Sequence, residues 1–145
     1  KKIDSTNIKK YLLKPSIVID TTDNWHSMNI INKFCVKQSI PLISASVIGF
    51  DGQVILFKNT KKNHLCLNCI YPNIDEPALP RCDSVGILGI AAGLTGLIAA
   101  QITINFFTKN NTIDNKLIMI SSKTMKITHI KVKNNSRCIN NYNKS

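Results

Sequence analysis

Apolar and polar positions along the 145-residue chain fall into blocks whose period switches between that of a strand and that of a helix. Ser16-Ile17-Val18-Ile19-Asp20 is a short apolar run behind Pro15 that closes on an acidic residue. Such a run suits a buried parallel strand whose C-terminal edge holds a site. Thr21, Thr22, Asp23 and Asn24 then offer N-cap side chains, and Trp25, Met28, Ile31 and Cys35 recur at helical spacing up to about Lys37, which predicts a helix. Pro41 to Val47 reads as the next strand and completes a βαβ unit. Gly49-Phe50-Asp51-Gly52 is a turn, and Gln53 to Phe57 a further strand. An α/β sheet is the fold class these periods favour.

Between Lys58 and Asp83 the chain turns polar and is broken by Pro72, Pro77 and Pro80, which predicts a long functional loop. Val85 to Phe107 carries no charge and meets the length rule for a membrane span of roughly 18 apolar residues. Gln101, Thr103 and Asn105 stand near one end, and Gly86, Gly89, Gly93 and Gly96 recur at helical spacing. A buried soluble helix, pressed on a sheet or a second subunit, is therefore preferred to a membrane anchor. Beyond turn signals at Asn110-Asn111 and Asp114-Asn115, Leu117 to Ser121 and Lys126 to Lys133 read as strands. The second sets Thr128, Ile130 and Val132 on one face. Residues 134–145 are Asn-rich and have no apolar period.

The 43% hydrophobic content suits one compact domain. A net charge of +11 raises nucleic acid or anionic membrane as partners. Only Arg81 and Arg137 of the 19 basic residues are arginines, and the lysines are scattered, so a solvated lysine-rich surface is expected and neither nucleic acid nor membrane is. Five cysteines, an odd number without a basic-then-apolar leader, point to a reducing compartment and a cytoplasmic protein. The opening Lys-Lys-Ile-Asp without Met reads as a cut edge, with sequence missing upstream.

Three places carry candidate chemistry. Asp20 to Asn24, at a strand end opening a helix, suits phosphate and Mg²⁺, with plain helix capping the default reading of these residues alone. Cys66-Leu67-Asn68-Cys69 has the bite of half a zinc site, with Cys138, His64 and His129 as further donors. A redox pair or inert thiols stay open. Cys82, behind Pro80-Arg81 and ahead of the glycine-rich helix, has the setting of an activated thiolate, and also that of a small apolar filler.

Taken together, Asp20-Thr21-Thr22-Asp23-Asn24, Pro41 to Gln53 (PLISASVIGFDGQ), Cys66 to Cys69 (CLNC) and Cys82 to Gly89 (CDSVGILG) resemble, in order and spacing, the C-terminal half of the ThiF/MoeB family of E1-like adenylyltransferases. The resemblance runs from about Ser16 to Cys138. It implies the C-terminal half of a Rossmann-type domain, a mixed sheet with a long crossover loop and a buried glycine-striped helix. Residues 1–133 then form the partial adenylyltransferase domain, and residues 134–145 a polar tail carrying the last candidate zinc ligand. It implies ATP-dependent adenylylation of the C-terminal glycine of a ubiquitin-like sulfur-carrier protein, of the ThiS or MoaD type. The wording of PLISASVIGF and of Tyr71 to Pro77 leans toward the thiamine pathway. Asp23 falls on the family's Mg²⁺–ATP carboxylate, Asn24 on the nucleotide, and Cys66, Cys69 and Cys138 on three of four zinc thiolates. Cys82 falls on the thiol that bonds to the carrier's C-terminus.

Three departures accompany the match. Asn141 stands where the fourth thiolate would follow, which leaves His64, a water or a degenerate zinc site, and Met28 stands where an Arg is usual. No Gly-rich nucleotide loop occurs in these residues. The expected enzyme is therefore incompetent as this chain alone and acts as a homodimer or with a complementing N-terminal half. The alternative is a non-catalytic carrier-docking or assembly module of the same fold.

Overall fold

The computed structural model describes residues 3–60, 65–72, 86–110, 113–135 and 138. Element order is α1 (Ile8–Tyr11), β1 (Val18–Asp20), α2 (Trp25–Gln38), β2 (Leu42–Ile48), β3 (Asp51–Phe57), α3 (Leu67–Ile70), α4 (Gly89–Phe107), β4 (Lys116–Ser121) and β5 (Lys126–Lys131). The strands form one five-stranded sheet in sequence order. β1 and β2 are parallel, joined by α2, and every later neighbour is antiparallel. The result is the mixed α/β fold expected from the sequence.

The apolar runs of β2, β3 and β4 carry hydrophobic side chains on both faces, because both faces are covered. Leu42, Ile55, Phe57 and Leu117 join α2 residues Ile31, Cys35 and Val36 in one core layer. Their alternate neighbours Ile43, Ala45, Val54, Leu56, Ile118 and Ile120 meet Ala99 and Ile102 of α4 in the other. A one-residue slip in register would exchange the two sets.

The helix α4 lies on β2, β3 and β4. Its buried residues are Ala91, Thr95, Ala99 and Ile102, the first three small enough for a close approach. The closest point is Gly52 of β3, where a Cβ would sit 1.9 Å from Thr95 Oγ1. Gly89, Gly93 and Gly96 have nothing within 4 Å of where a Cβ would be. The glycine that lets helix and sheet meet therefore belongs to the strand, and the helix glycines lie in open space. Ile90, Leu97, Ile104 and Phe107 are exposed. The start of α4 is fixed by Gly49 in the β2–β3 turn, whose N–H donates to the Gly86 carbonyl at 3.0 Å and whose carbonyl accepts from Leu88 N–H at 3.0 Å.

The strand β5 is exposed along its whole length. Thr128 and Ile130 share one face of its pleat, and β4 holds it on one side.

Candidate functional site

At the exit of β1 the buried Asp20 turns the chain. Its Oδ1 accepts Thr22 N–H at 2.9 Å and the Thr22 hydroxyl at 2.7 Å, a local turn that competes with further strand. Burial raises the carboxyl of Asp20 above its ordinary value, against the lowering by both bonds to Thr22. Asn24 then caps α2, its Oδ1 accepting Ser27 N–H at 2.9 Å. The amide end of Asn24 contacts Asp23 Oδ1 at 3.4 Å, and Asp23 itself is exposed. A parallel strand's C-terminal end, a helix N-terminus and an exposed carboxylate thus meet at one sheet edge, the arrangement that receives anionic ligands in open α/β sheets. An exposed hard oxygen donor suits Mg²⁺ shared with a substrate phosphate. Met28 packs against the core layer on the α2 side, and so makes no charge contact of the kind an Arg would there.

Two turns along α2, Asn32 is fully buried. Its Oδ1 accepts Leu67 N–H at 3.1 Å and its Nδ2 donates to Asn68 Oδ1 at 3.0 Å. Both ends of one amide therefore grip α3, which is too short to stand alone. Tyr71, just past α3, donates to Gln53 Oε1 at 2.5 Å and meets Trp25 edge to face at 6.0 Å. Gln53 Nε2 in turn donates to Ser46 Oγ at 2.8 Å. The knuckle at α3 is tied to the start of α2 and to the sheet at once. Asn32→Leu leaves the Leu67 N–H buried without this acceptor and is expected to lower unfolding free energy by about 2–3 kcal/mol in a urea titration. A loss within ~0.5 kcal/mol of zero, the range of surface substitutions, would contradict that role.

The knuckle presents the cysteines. Cys66 precedes α3 as its N-cap residue and Cys69 lies within it. Cys66 Sγ is 3.9 Å from Cys69 Sγ and 3.4 Å from Cys138 Sγ, and the sulfurs of all three buried residues lie within 4.8 Å of one another. A tetrahedral zinc with Zn–S bonds of about 2.3 Å sets sulfurs about 3.8 Å apart, so the donor set fits a metal in both chemistry and spacing. The hydrogen bond to Cys66 draws the Cys69 thiol down to about 5, against the opposing effect of burial, so a thiolate is available near neutral pH. Cys35 behaves in the opposite way. Burial, aided by the charge of Asp20, pushes its thiol up to about 12, and it serves as apolar filling.

Of the sequence-derived candidates, the structure brings Cys66, Cys69 and Cys138 together and sets Asp23 and Asn24 side by side at the β1 exit. His129 lies on exposed β5 opposite Ile118. Cys82, His64, Asn141 and Arg81 lie outside the described residues. Sequence reasoning did not find the Asn32 clamp. Its signal is a polar residue beside Ile31 and one turn from Cys35 on the buried face of α2.

The sequence pattern that defines the ThiF family matches residues 1–140. The chain belongs to the ThiF family. Among curated relatives, the SAMP-activating enzyme E1 of Haloferax volcanii is 24% identical over 139 residues, covering 94% of this chain and 50% of that protein. The sulfur carrier protein ThiS adenylyltransferase of Escherichia coli is 28% identical over 131 residues, 90% of this chain and 51% of that one. The chain thus spans about half the length of these ThiF-family relatives. Among solved structures, Escherichia coli MccB superposes with a TM-score of 0.79 at 19% identity, covering 99% of this chain and 43% of MccB. A structure of MccB with ATP matches at a TM-score of 0.73 and 19% identity, over 97% of this chain and 44% of MccB. At that identity the likeness is one of fold.

Proposed function

We propose that this chain is the C-terminal portion of an adenylyltransferase that activates the C-terminal glycine of a ubiquitin-like sulfur-carrier protein with ATP. The observation that carries this reading is the ThiF-family match over residues 1–140, joined to an exposed carboxylate at the exit of a parallel strand. The carrier's terminal carboxylate oxygen attacks the α-phosphorus, the bond from that phosphorus to the oxygen bridging to the β-phosphorus breaks, and pyrophosphate leaves with the electron pair. The product is an acyl adenylate ready for sulfur delivery.

In this reading Asp23 would hold Mg²⁺, and the Asn24 amide that is not engaged in capping would orient the nucleotide. When bound, Mg²⁺ neutralises charge developing on the phosphate oxygens. Cys82 would supply the thiolate that attacks the acyl carbon of the adenylate, forming a thioester with the carrier as the bond from that carbon to the phosphate oxygen breaks and AMP leaves. Cys66, Cys69 and Cys138 hold a structural zinc. The segments Pro41 to Phe50 and Tyr71 to Pro77 favour a ThiS-type carrier and the thiamine pathway over a MoaD-type carrier.

The phosphate-gripping loop comes from an upstream half, which adds beside β1, the strand that ends the sheet. Without that half the chain does not turn over. A second copy covers the exposed apolar side of α4. In this reading the enzyme is soluble and cytoplasmic, and α4 packs on the sheet through Ala91, Thr95, Ala99 and Ile102.

Joined to its upstream half, the protein is expected to form carrier adenylate and a covalent carrier adduct. Cys82→Ser is expected to abolish the adduct, seen by mass spectrometry, and to leave adenylate formation within about twofold, since a group absent from the first transition state does not alter its rate. Loss of both together would remove the specific role of the thiol.

A further inference from the structure

We propose that Asn134 supplies the fourth donor to the cysteine cluster, which then binds a divalent metal through three thiolates and one amide oxygen. This rests on the reading that the cluster holds a metal. Three sulfurs fix three corners of a tetrahedron, and the fourth corner decides how tightly and how reversibly the metal is held. Asn134 Oδ1 lies 3.3 Å from Cys69 Sγ. With a Zn–S bond of about 2.3 Å and a Zn–O bond of about 2.1 Å, a tetrahedral S–O edge is about 3.6 Å, so the amide oxygen, which accepts the Cys69 thiol in the metal-free chain, already stands within a few tenths of an ångström of that edge length from this sulfur.

The backbone presents Asn134 and Cys138 from one segment. Val132 N–H donates to the Asn115 carbonyl at 2.8 Å and pins the chain as it leaves β5. Cys138 N–H donates to the Asn135 carbonyl at 2.9 Å and turns it back toward the knuckle. The three cysteines are buried and Asn134 is exposed, so the amide closes the solvent side. A neutral hard oxygen in place of a fourth thiolate leaves one less negative charge on the metal and a softer hold at that corner. The metal is thereby held less tightly than in a site sealed by four thiolates.

The full 145-residue chain is titrated with Zn²⁺ against a competing chelator, and with Co²⁺ as a spectroscopic probe. Wild type is expected to bind one metal per chain with a cobalt spectrum of three sulfurs and one oxygen. Asn134→Ala lowers affinity by about tenfold or more and alters the cobalt d–d bands. Asn134→Asp, which keeps an oxygen at the same reach and adds charge, binds at least as tightly as wild type. Asn134→Cys raises the sulfur-to-cobalt band in the ratio of four thiolates to three.

Far-UV circular dichroism checks that each variant keeps its fold, as expected for an exposed position. Unchanged affinity and spectrum in Asn134→Ala would overturn the assignment, and so would weaker binding by Asn134→Asp or a loss seen with His64→Ala alone. Failure of wild type to bind either metal would remove the metal reading itself and this inference with it.

Discussion

With zinc held by Cys66, Cys69 and Cys138 as proposed, stripping it with a chelator is expected to lower the melting temperature of the chain by roughly 10 °C or more. The three residues belong to the core layer that also contains Ile31, Leu42 and Phe57. A metal there joins α3 to the segment after β5, two pieces of chain far apart in sequence. A ligand present at a thousand times its dissociation constant stabilises the folded state by about 4 kcal/mol. For a chain of this length each kcal/mol moves the midpoint by several degrees. Cys66→Ser in the presence of zinc is expected to melt like the chelated wild type, because Cys66 Sγ faces both other sulfurs. Scanning calorimetry with and without chelator checks this. A midpoint indifferent to chelator would mean that the cysteines are only apolar neighbours.

Gly52→Ala is expected to destabilise the fold by about 1–3 kcal/mol, the usual cost of forcing a methyl into a packed core. The added Cβ would stand 1.9 Å from Thr95 Oγ1 and 3.1 Å from Thr95 Cβ. Thr95 cannot swing aside cheaply. It is buried, β-branched, and its hydroxyl donates to the Ala91 carbonyl at 2.7 Å. The helix must then lift from β3, which opens the layer of Val54, Leu56, Ala99 and Ile102. Combining Gly52→Ala with Thr95→Ala is expected to recover most of the loss, because the nearest clashing atom is gone. A double-mutant cycle in urea reads the coupling directly. Additive losses would show that the strand glycine and the helix threonine act independently.

Much of the fold was legible because it rests on local pattern. The runs ending at Asp20 and Val47 and the N-cap signal at Asn24 anticipated β1, α2 and β2 closely. The charge-free stretch anticipated α4. What escaped depended on distance. The four residues of α3 are too few to show a period, and they hold their shape through Asn32, more than thirty positions away. The glycine spacing in α4 suggested close approach, yet the sheet meets the helix at Gly52, a position that reads as turn sequence. At the cysteine cluster, spacing and resemblance named three sulfurs correctly as neighbours. The proximity of Asn134 to Cys69 was invisible, because nothing in an Asn-rich tail distinguishes one asparagine from the next.

The role proposed for Asp23, at the exit of β1, is in an ATP-dependent acyl-adenylating site once the upstream half is in place. ATP–pyrophosphate exchange, measured with the two halves joined and a ThiS-type carrier ending in free glycine, tests it most directly. Exchange that depends on the carrier and falls roughly a hundredfold or more in Asp23→Ala is the predicted result. Absence of exchange in the joined wild-type protein, or exchange unaltered by Asp23→Ala, would contradict it.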